Sequence, residues 1–540
     1  MKSVIKNILN ISLSLFVVYT VSSCQDFLTE DPKGQLAVDN FFKDEGDLDL
    51  ALNALYANLA EGQYANNQIG CNFIIGDDIT THPQSNKQSI REMDTYDVSN
   101  NNQWAEALWA NHFKMVKNAN FIISNAARTP APKERINETI GQALYWRAYT
   151  YLHLVYAWGE VPLLLKDEVN YNVKVSSVED IYAQIVADLK LAEQYVPDNY
   201  KKAPYQKNGM NVAVSKGAVK ATLAYVYMSM AGWPLNKGAE YYEMAAEKAD
   251  EIIKGVENGT YYYSLLPDYA DVYAVSHNER NPEVILGVYY NREIGTLNNT
   301  PVADFLQDMA YGGGWDDTHG EIKYWVDFPE GPRKQATYFP QIILASDLKL
   351  HDWWDDPDPA QPRVVIAPCF MKSIEGPVRG QDFDYTNPQQ LSHEGDKMHQ
   401  IIRLSEVYCW YAESVFRSGM PDKAKAVEYL NKVRNRADGA ATNIYSTSMS
   451  NEKLAEAAYN EHGWEMAGYY WGNIASRATD MFRMNRIKDH FEYRKLNPEI
   501  EVAPGVMRKE AVAVSGVWSD SKMYFPYPSA DVMNNPNLKR

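Results

Sequence analysis

The sequence predicts a mainly α protein of stacked helix pairs, broken by one long irregular insertion. Three observations carry that expectation. Apolar residues recur at helical spacing over many separate stretches. Two of these stretches, far apart in the chain, repeat one helix–turn–helix outline. Twelve prolines crowd between residues 260 and 399, where the helical period fades.

Residues 1–23 read as a signal peptide. Lys2 and Lys6 form a basic start, and Ile8 to Val21 form an apolar stretch too short to span a bilayer comfortably. The stretch ends in Val21-Ser22-Ser23-Cys24, which is similar to the lipobox of bacterial lipoproteins, where Cys24 would become the lipid-bearing N-terminus. The competing reading is an ordinary secretory signal with a chance Cys. Multiple acyl chains on one Cys would anchor a soluble body stably, where a single chain would be marginal. Residues 24–45, with Gln25-Asp26-Phe27-Leu28-Thr29-Glu30-Asp31-Pro32, read as an acidic tether. It resembles the segment that sends Bacteroidetes lipoproteins to the cell surface. Beyond it no run approaches ~18 apolar residues, so no spanning helix is expected in the body.

The first helical region is assigned to residues 46–259. Leu48, Leu52, Leu55 and Leu59 share one face of 47–61. Trp104, Leu108, Met115, Ala119 and Ile122 do the same in 103–127, and Trp104 reads as packing. Residues 138–158 are apolar nearly all round, which places that helix between neighbours, and it stops at Gly159. Residues 178–196 are amphipathic, with Ser177 as N-cap and Pro197 as terminator. Helices 215–233 and 239–255 match 401–419 and 422–439 in outline, with Ala224, Ala245, Ala412 and Ala426 at the expected close crossings. Helix pairs of about 34 residues resemble tetratricopeptide units, and about four such pairs exceed the ~3 a solenoid needs. A generic helical bundle is the alternative. The insertion spans 260–399, with β-like runs at 283–291 and 363–371 and a short helix near 301–310. Helices resume over 400–490, and a Pro-rich segment, 491–540, closes the chain.

Composition excludes several functions. With 52 Lys+Arg against 70 Asp+Glu the net charge is −18, and loss of residues 1–23 moves it to about −20. A duplex binder needs a basic face, so no nucleic acid partner is expected. Cys71, Cys369 and Cys409 are scattered, with no CxxC, so neither a zinc site nor a redox motif is expected. Cys409 reads as a small core residue. Gly312-Gly313-Gly314 is not followed by the Gly-Lys-Ser/Thr of a phosphate loop, and no GxSxG or HExxH occurs. Acid pairs such as Asp316/Asp317 are plentiful by chance among 70 acids, and glycosidase chemistry needs a fixed separation that sequence does not supply. No catalytic residue and no cofactor are expected. Asp347, Asp352, Asp355, Asp356 and Asp358 are of the type that holds structural Ca²⁺, but without an EF-hand pattern they read as a solvated acidic loop.

The order of segments is similar to the SusD/RagB family. After Cys24 come DLALNALYANL, ALYWRAYTYLHLVYAWGEVPLLL, VEDIYAQIVADLKLAEQYVP, SKGAVKATLAYVYM and KAVEYLNKVRNRA, and the chain closes on MYFPYPSADVMNNPNL. Arg147-Ala148-Tyr149, Gly159-Glu160-Val161-Pro162-Leu163 and Asn431 to Ala437 are the most specific pieces. The resemblance runs from Cys24 to about Leu538. In 460–484, read as one helix, Glu465 and Gly468 are kept but most of the family's Arg cluster is lost. The resemblance implies a non-catalytic outer-membrane lipoprotein, facing the cell exterior, that binds oligo- or polysaccharide. It also implies a SusC-like TonB-dependent β-barrel transporter as partner. A peptide-capturing lipoprotein and a surface hydrolase are the alternatives.

Tyr outnumbers Phe 38 to 16, and 13 Trp are present. A flat aromatic covers the apolar face of a sugar while polar groups bond its hydroxyl rim. The candidate glycan contacts are Tyr311, Trp315, Asp317 and Trp325 in the insertion, Trp353 and Trp354 in the loop HDWWDDPDP, and Asp78, Arg91 and Asn101 early in the chain. The competing reading has the tryptophans plugging loops onto the helical body. Neighbouring Trp353 and Trp354 in extended backbone are expected to point opposite ways.

Overall fold

A computed structural model describes residues 41–61, 76–83, 85–168, 172–291, 293, 317–343, 349–355, 367–372, 396–468 and 472–538. Cys24 and the signal segment, Cys71, Tyr311, Trp315, the triple glycine and the expected helix near 301–310 lie outside them, as do Asp316, Asp347, Asp356 and Asp358. Among the described residues no helix is long and apolar enough to cross a membrane.

The helices pack as the pairs expected from sequence. Helix Glu45–Glu61 lies against Gln103–Asn125, and Lys133–Trp158 against Val178–Tyr195. Lys216–Ala231 packs on Ala239–Glu257, and Leu404–Ser418 on Lys423–Asp438. Helix Lys133–Trp158 is buried at every position from Gly141 to Trp158. The expected small residues Ala224, Ala245, Ala412 and Ala426 are all buried at the crossings. Ser177 caps its helix by accepting the Asp180 N–H at 3.1 Å, and Asn102 does the same for Gln103–Asn125 from Ala105 at 3.0 Å. Trp104 and Cys409 are core residues.

The motifs that carry the family resemblance are structural. Arg147 makes a buried two-point pair with Asp188, both bonds 2.7 Å, and also donates to Asn120 at 2.8 Å. Gly159 ends its helix at φ +65°, and a Cβ there would stand 2.9 Å from the Tyr524 ring, so both conformation and space require glycine. The C-terminal segment clasps that helix end: Phe525 donates its N–H to Ala157 O (2.7 Å), Trp158 Nε1 to Pro526 O (3.1 Å) and Tyr527 Oη to Glu160 O (2.6 Å).

The described part of 260–399 has a small apolar core of its own, with Tyr269, Tyr273, Ile322, Phe339, Trp353 and Cys369, completed by Ile500 and Val502 of the C-terminal hairpin. The expected strand at 283–291 is observed as Val284–Val288, paired antiparallel with His399–Arg403. Of the run 363–371 only 367–371 is described, and Phe370 makes an isolated bridge to Tyr338. Other strands form separate two-stranded ribbons, including Ile79–Thr81 with Thr318–Gly320.

The segment 460–484 corrects the single-helix expectation. Helix Asn451–Met466 stops, and a second helix begins at Arg477. Ser476 and Thr479 start it with a reciprocal cap. The missing arginines are supplied from elsewhere. Arg333, Arg403 and Arg436 all reach the Glu465 carboxylate, at 2.9, 3.2 and 2.7 Å. Arg403 and Arg436 also pair with Glu283, and Arg333 with Glu461. These charges are buried, and the three guanidinium groups hold the Glu465 carboxyl down at about 2 despite its burial. The network ties the insertion to the last helix pairs.

Candidate functional site

Three short segments of the insertion build an open cleft of about 420 Å³. It is lined by Trp325, Trp353 and Trp354, with Tyr338, Phe339 and Pro340 and with the polar groups of Glu330, Lys334, Gln335 and Gln341. Each segment is anchored by the chain around it. Helix Ile322–Asp327 carries Trp325, and the Glu510 carboxylate accepts its first two N–H groups at 2.8 Å each. Helix Pro332–Thr337 starts with proline, whose missing N–H costs nothing there. Its Arg333 enters the buried ion network while Lys334, the next residue round the helix, forms the cleft wall. Trp353 and Trp354 sit in a turn closed by Asp355 N–H to Asp352 O (2.9 Å), and Arg508 of the C-terminal hairpin donates to the Trp354 carbonyl.

The tryptophans meet one another, contrary to the expectation that neighbours at 353 and 354 point apart. The chain turns there instead of running extended, and their ring centroids lie 5.2 Å apart at 86°. Trp325 lies 5.2 Å from Trp353 and 5.6 Å from Trp354. Trp353 is only 1% exposed and belongs to the core, so it supports the cleft and offers no ring face to a ligand. Trp325 and Trp354 are half-buried. The Lys334 ammonium stands 4.0 Å from the Trp325 ring centroid, a cation–π contact. It also pairs with Glu330 at 2.6 Å. Burial lowers the Lys334 pKa, and the Glu330 bond only partly offsets this.

The other candidates go elsewhere. Asp317 is buried and engaged, accepting from Ser85 and pairing with Lys87 at 2.8 Å. Asp78 is buried and accepts the Gly468 N–H at 2.9 Å; burial and the Asp77 charge push its pKa up to about 7. The Asp317 carboxylate joins the insertion to the early loop, and the Asp78 carboxylate joins that loop to the end of helix Asn451–Met466. Arg91 is half-buried on helix Gln88–Asp94 and lines a separate cleft of about 450 Å³ with Gln88, Glu92, Thr95 and Asp97. Asn101 is exposed just before the Asn102 cap. A third cleft, of about 370 Å³, lies on the Tyr324 side of helix Ile322–Asp327 and is crossed by the Arg477–Asp77 pair (2.6 Å). Among the described residues no group of three or more His, Cys, Asp or Glu is placed to hold a metal.

Sequence reasoning missed Lys334, Glu330, Gln335 and Gln341. The signal was present: Pro332 marks a helix start, and Glu330 and Lys334 stand at i, i+4.

Two family models match this chain. One, described as "Starch-binding associating with outer membrane", covers residues 26–228, and the SusD family model covers residues 372–540. The chain belongs to the SusD/RagB family. A SusD-like protein, P25, of Formosa agariphila is 25% identical across 92% of this chain and 94% of its own. A SusD homologue of Bacteroides thetaiotaomicron superposes with a TM-score of 0.71 at 16% identity, covering 94% of this chain and 99% of that one. A crystal structure with xylogluco-oligosaccharide superposes at 0.68 with 19% identity, covering 91% and 98%. These likenesses establish the SusD fold for this chain.

Proposed function

We propose that this SusD-like chain is a non-catalytic, lipid-anchored protein of the outer membrane, facing the cell exterior. It binds oligo- or polysaccharide and passes it to a SusC-like TonB-dependent β-barrel transporter. The observation that carries the glycan reading is the joining of Trp325, Trp353 and Trp354 at one polar-rimmed cleft. A half-buried indole backed by other indoles is a rigid platform for a sugar's C–H face. Glu330, Gln335 and Gln341 supply hydrogen-bonding groups at the rim. Family membership and the sugar complex of a protein with the same fold support the reading. The anchor rests on the lipobox-like ending at Cys24, and Trp315 and Tyr311 stay in the proposed site on the sequence reading alone.

Isothermal titration of residues 25–540 against a polysaccharide panel tests this. At least one glycan should bind, and Trp354→Ala should weaken it by about 1–3 kcal/mol. Absence of binding to every glycan would overturn the proposal. Cys24→Ala should move the protein from the membrane fraction to the soluble one.

A further inference from the structure

A cation stands in the wall of the tryptophan cleft, and its bonds are unevenly filled. Lys334 is held: its side chain is 6% exposed, on a helix whose preceding residue, Arg333, is fixed in the buried ion network. Its partner Glu330 is 82% exposed. An ammonium carries three donors. One goes to Glu330 and the Trp325 ring takes up one side, while no other acceptor reaches the group among the described residues.

We propose that the cleft is built for a glycan bearing an anionic group, a uronate carboxylate or a sulfate ester, that seats on the Lys334 ammonium while the sugar ring lies against Trp354. This rests on the glycan reading above and names its substrate class. Glu330 is exposed, so its carboxylate regains water on leaving, and the incoming ligand anion takes its place on the buried ammonium. A ligand anion delivered by a stacked ring meets the same ammonium already oriented, which is the condition for a strong charge-assisted bond. The chain's net charge of −18 opposes polyanions at long range. That field is screened beyond a Debye length of about 8 Å in physiological salt, while a contact inside the cleft is not.

The test titrates residues 25–540 with oligogalacturonides, sulfated galacto-oligosaccharides and neutral cello- and xylo-oligosaccharides of matched length, at low and high salt. An acidic ligand should bind about tenfold tighter than the neutral ones, and the margin should persist at high salt, because salt screens the repulsive field and not the partly buried contact. Which acidic arm responds identifies carboxylate or sulfate. Lys334→Met should erase the margin, weakening the acidic ligand about tenfold more than the neutral ones. Glu330→Gln, at an exposed position, should widen it. Neutral ligands binding as well as acidic ones, or Lys334→Met weakening both alike, would overturn the inference. If neutral binding is then lost in Trp354→Ala, the glycan reading survives alone. If no ligand of either class binds, the inference falls, and the glycan reading is decided by the polysaccharide panel.

Discussion

Helix Lys133–Trp158 buries an unbroken row of side chains from Gly141 to Trp158, and most are apolar or aromatic. The region around Glu283, Arg333, Arg403 and Glu465 is as well buried, yet what it buries is charge. The helix pairs are held by packing that tolerates many sequences of the right shape. The insertion, with short ribbons and a small core, is fastened by ion pairs whose partners come from five separate segments, at Glu283, Arg333, Arg403, Arg436 and Glu461 to Glu465. Such pairs specify one geometry, because each group loses its compensation if its partner moves. A binding cleft needs that kind of fixed geometry, and Lys334 follows Arg333 on the helix the network holds.

The largest effect expected from breaking this contrast is at Arg403. Arg403→Ala leaves the Glu283 and Glu465 carboxylates short of a partner and should cost about 3–5 kcal/mol in urea unfolding. A loss under about 1 kcal/mol would mean that the network is not what fastens the insertion. In the helical region Leu152→Ala should cost about 2–4 kcal/mol by leaving a cavity. That loss should leave glycan affinity intact, whereas Arg403→Ala should lower both.

Buried histidines titrate in opposite senses according to their partners. Burial lowers the pKa of His112 in the helical region, and of His490 beside the insertion, to about 4. The unfolded chain then binds more protons, so stability falls as pH drops below about 6.5, by up to about 1.4 kcal/mol per pH unit for each histidine. His462 runs the other way. Its pKa is raised to about 9 against burial by Asp480, 2.5 Å away, and Glu406. Its contribution is present below the unfolded value and is lost as pH rises through about 9. Urea midpoints across pH should therefore fall on both sides, and His112→Phe should flatten only the acid limb. The smallest effect belongs to the exposed pair Lys207–Glu279, where Lys207→Ala should leave the midpoint unchanged.

Legibility followed the range of the interactions. Trp104, Cys409 and the four crossing alanines were read correctly because a helix face is a local pattern. Extended backbone at 353–354 would send the two rings apart, and the turn that brings them together and folds Trp353 inward is not legible in the sequence. Asp78 and Asp317 looked like rim acids because nothing near them in sequence shows Lys87, Ser85 or the Gly468 N–H that engage them. Glu465 is legible as a motif residue, while its three arginines lie 132, 62 and 29 residues away.

The sequence by itself determined the helix pairs and the family. Each rests on periodicity, turn chemistry or contiguous motifs, which act over a few residues. Only the tertiary structure decided which tryptophan is core and which is wall, and that Lys334 stands over Trp325. Those outcomes depend on burial and on partners brought together by folding, and no local pattern encodes them.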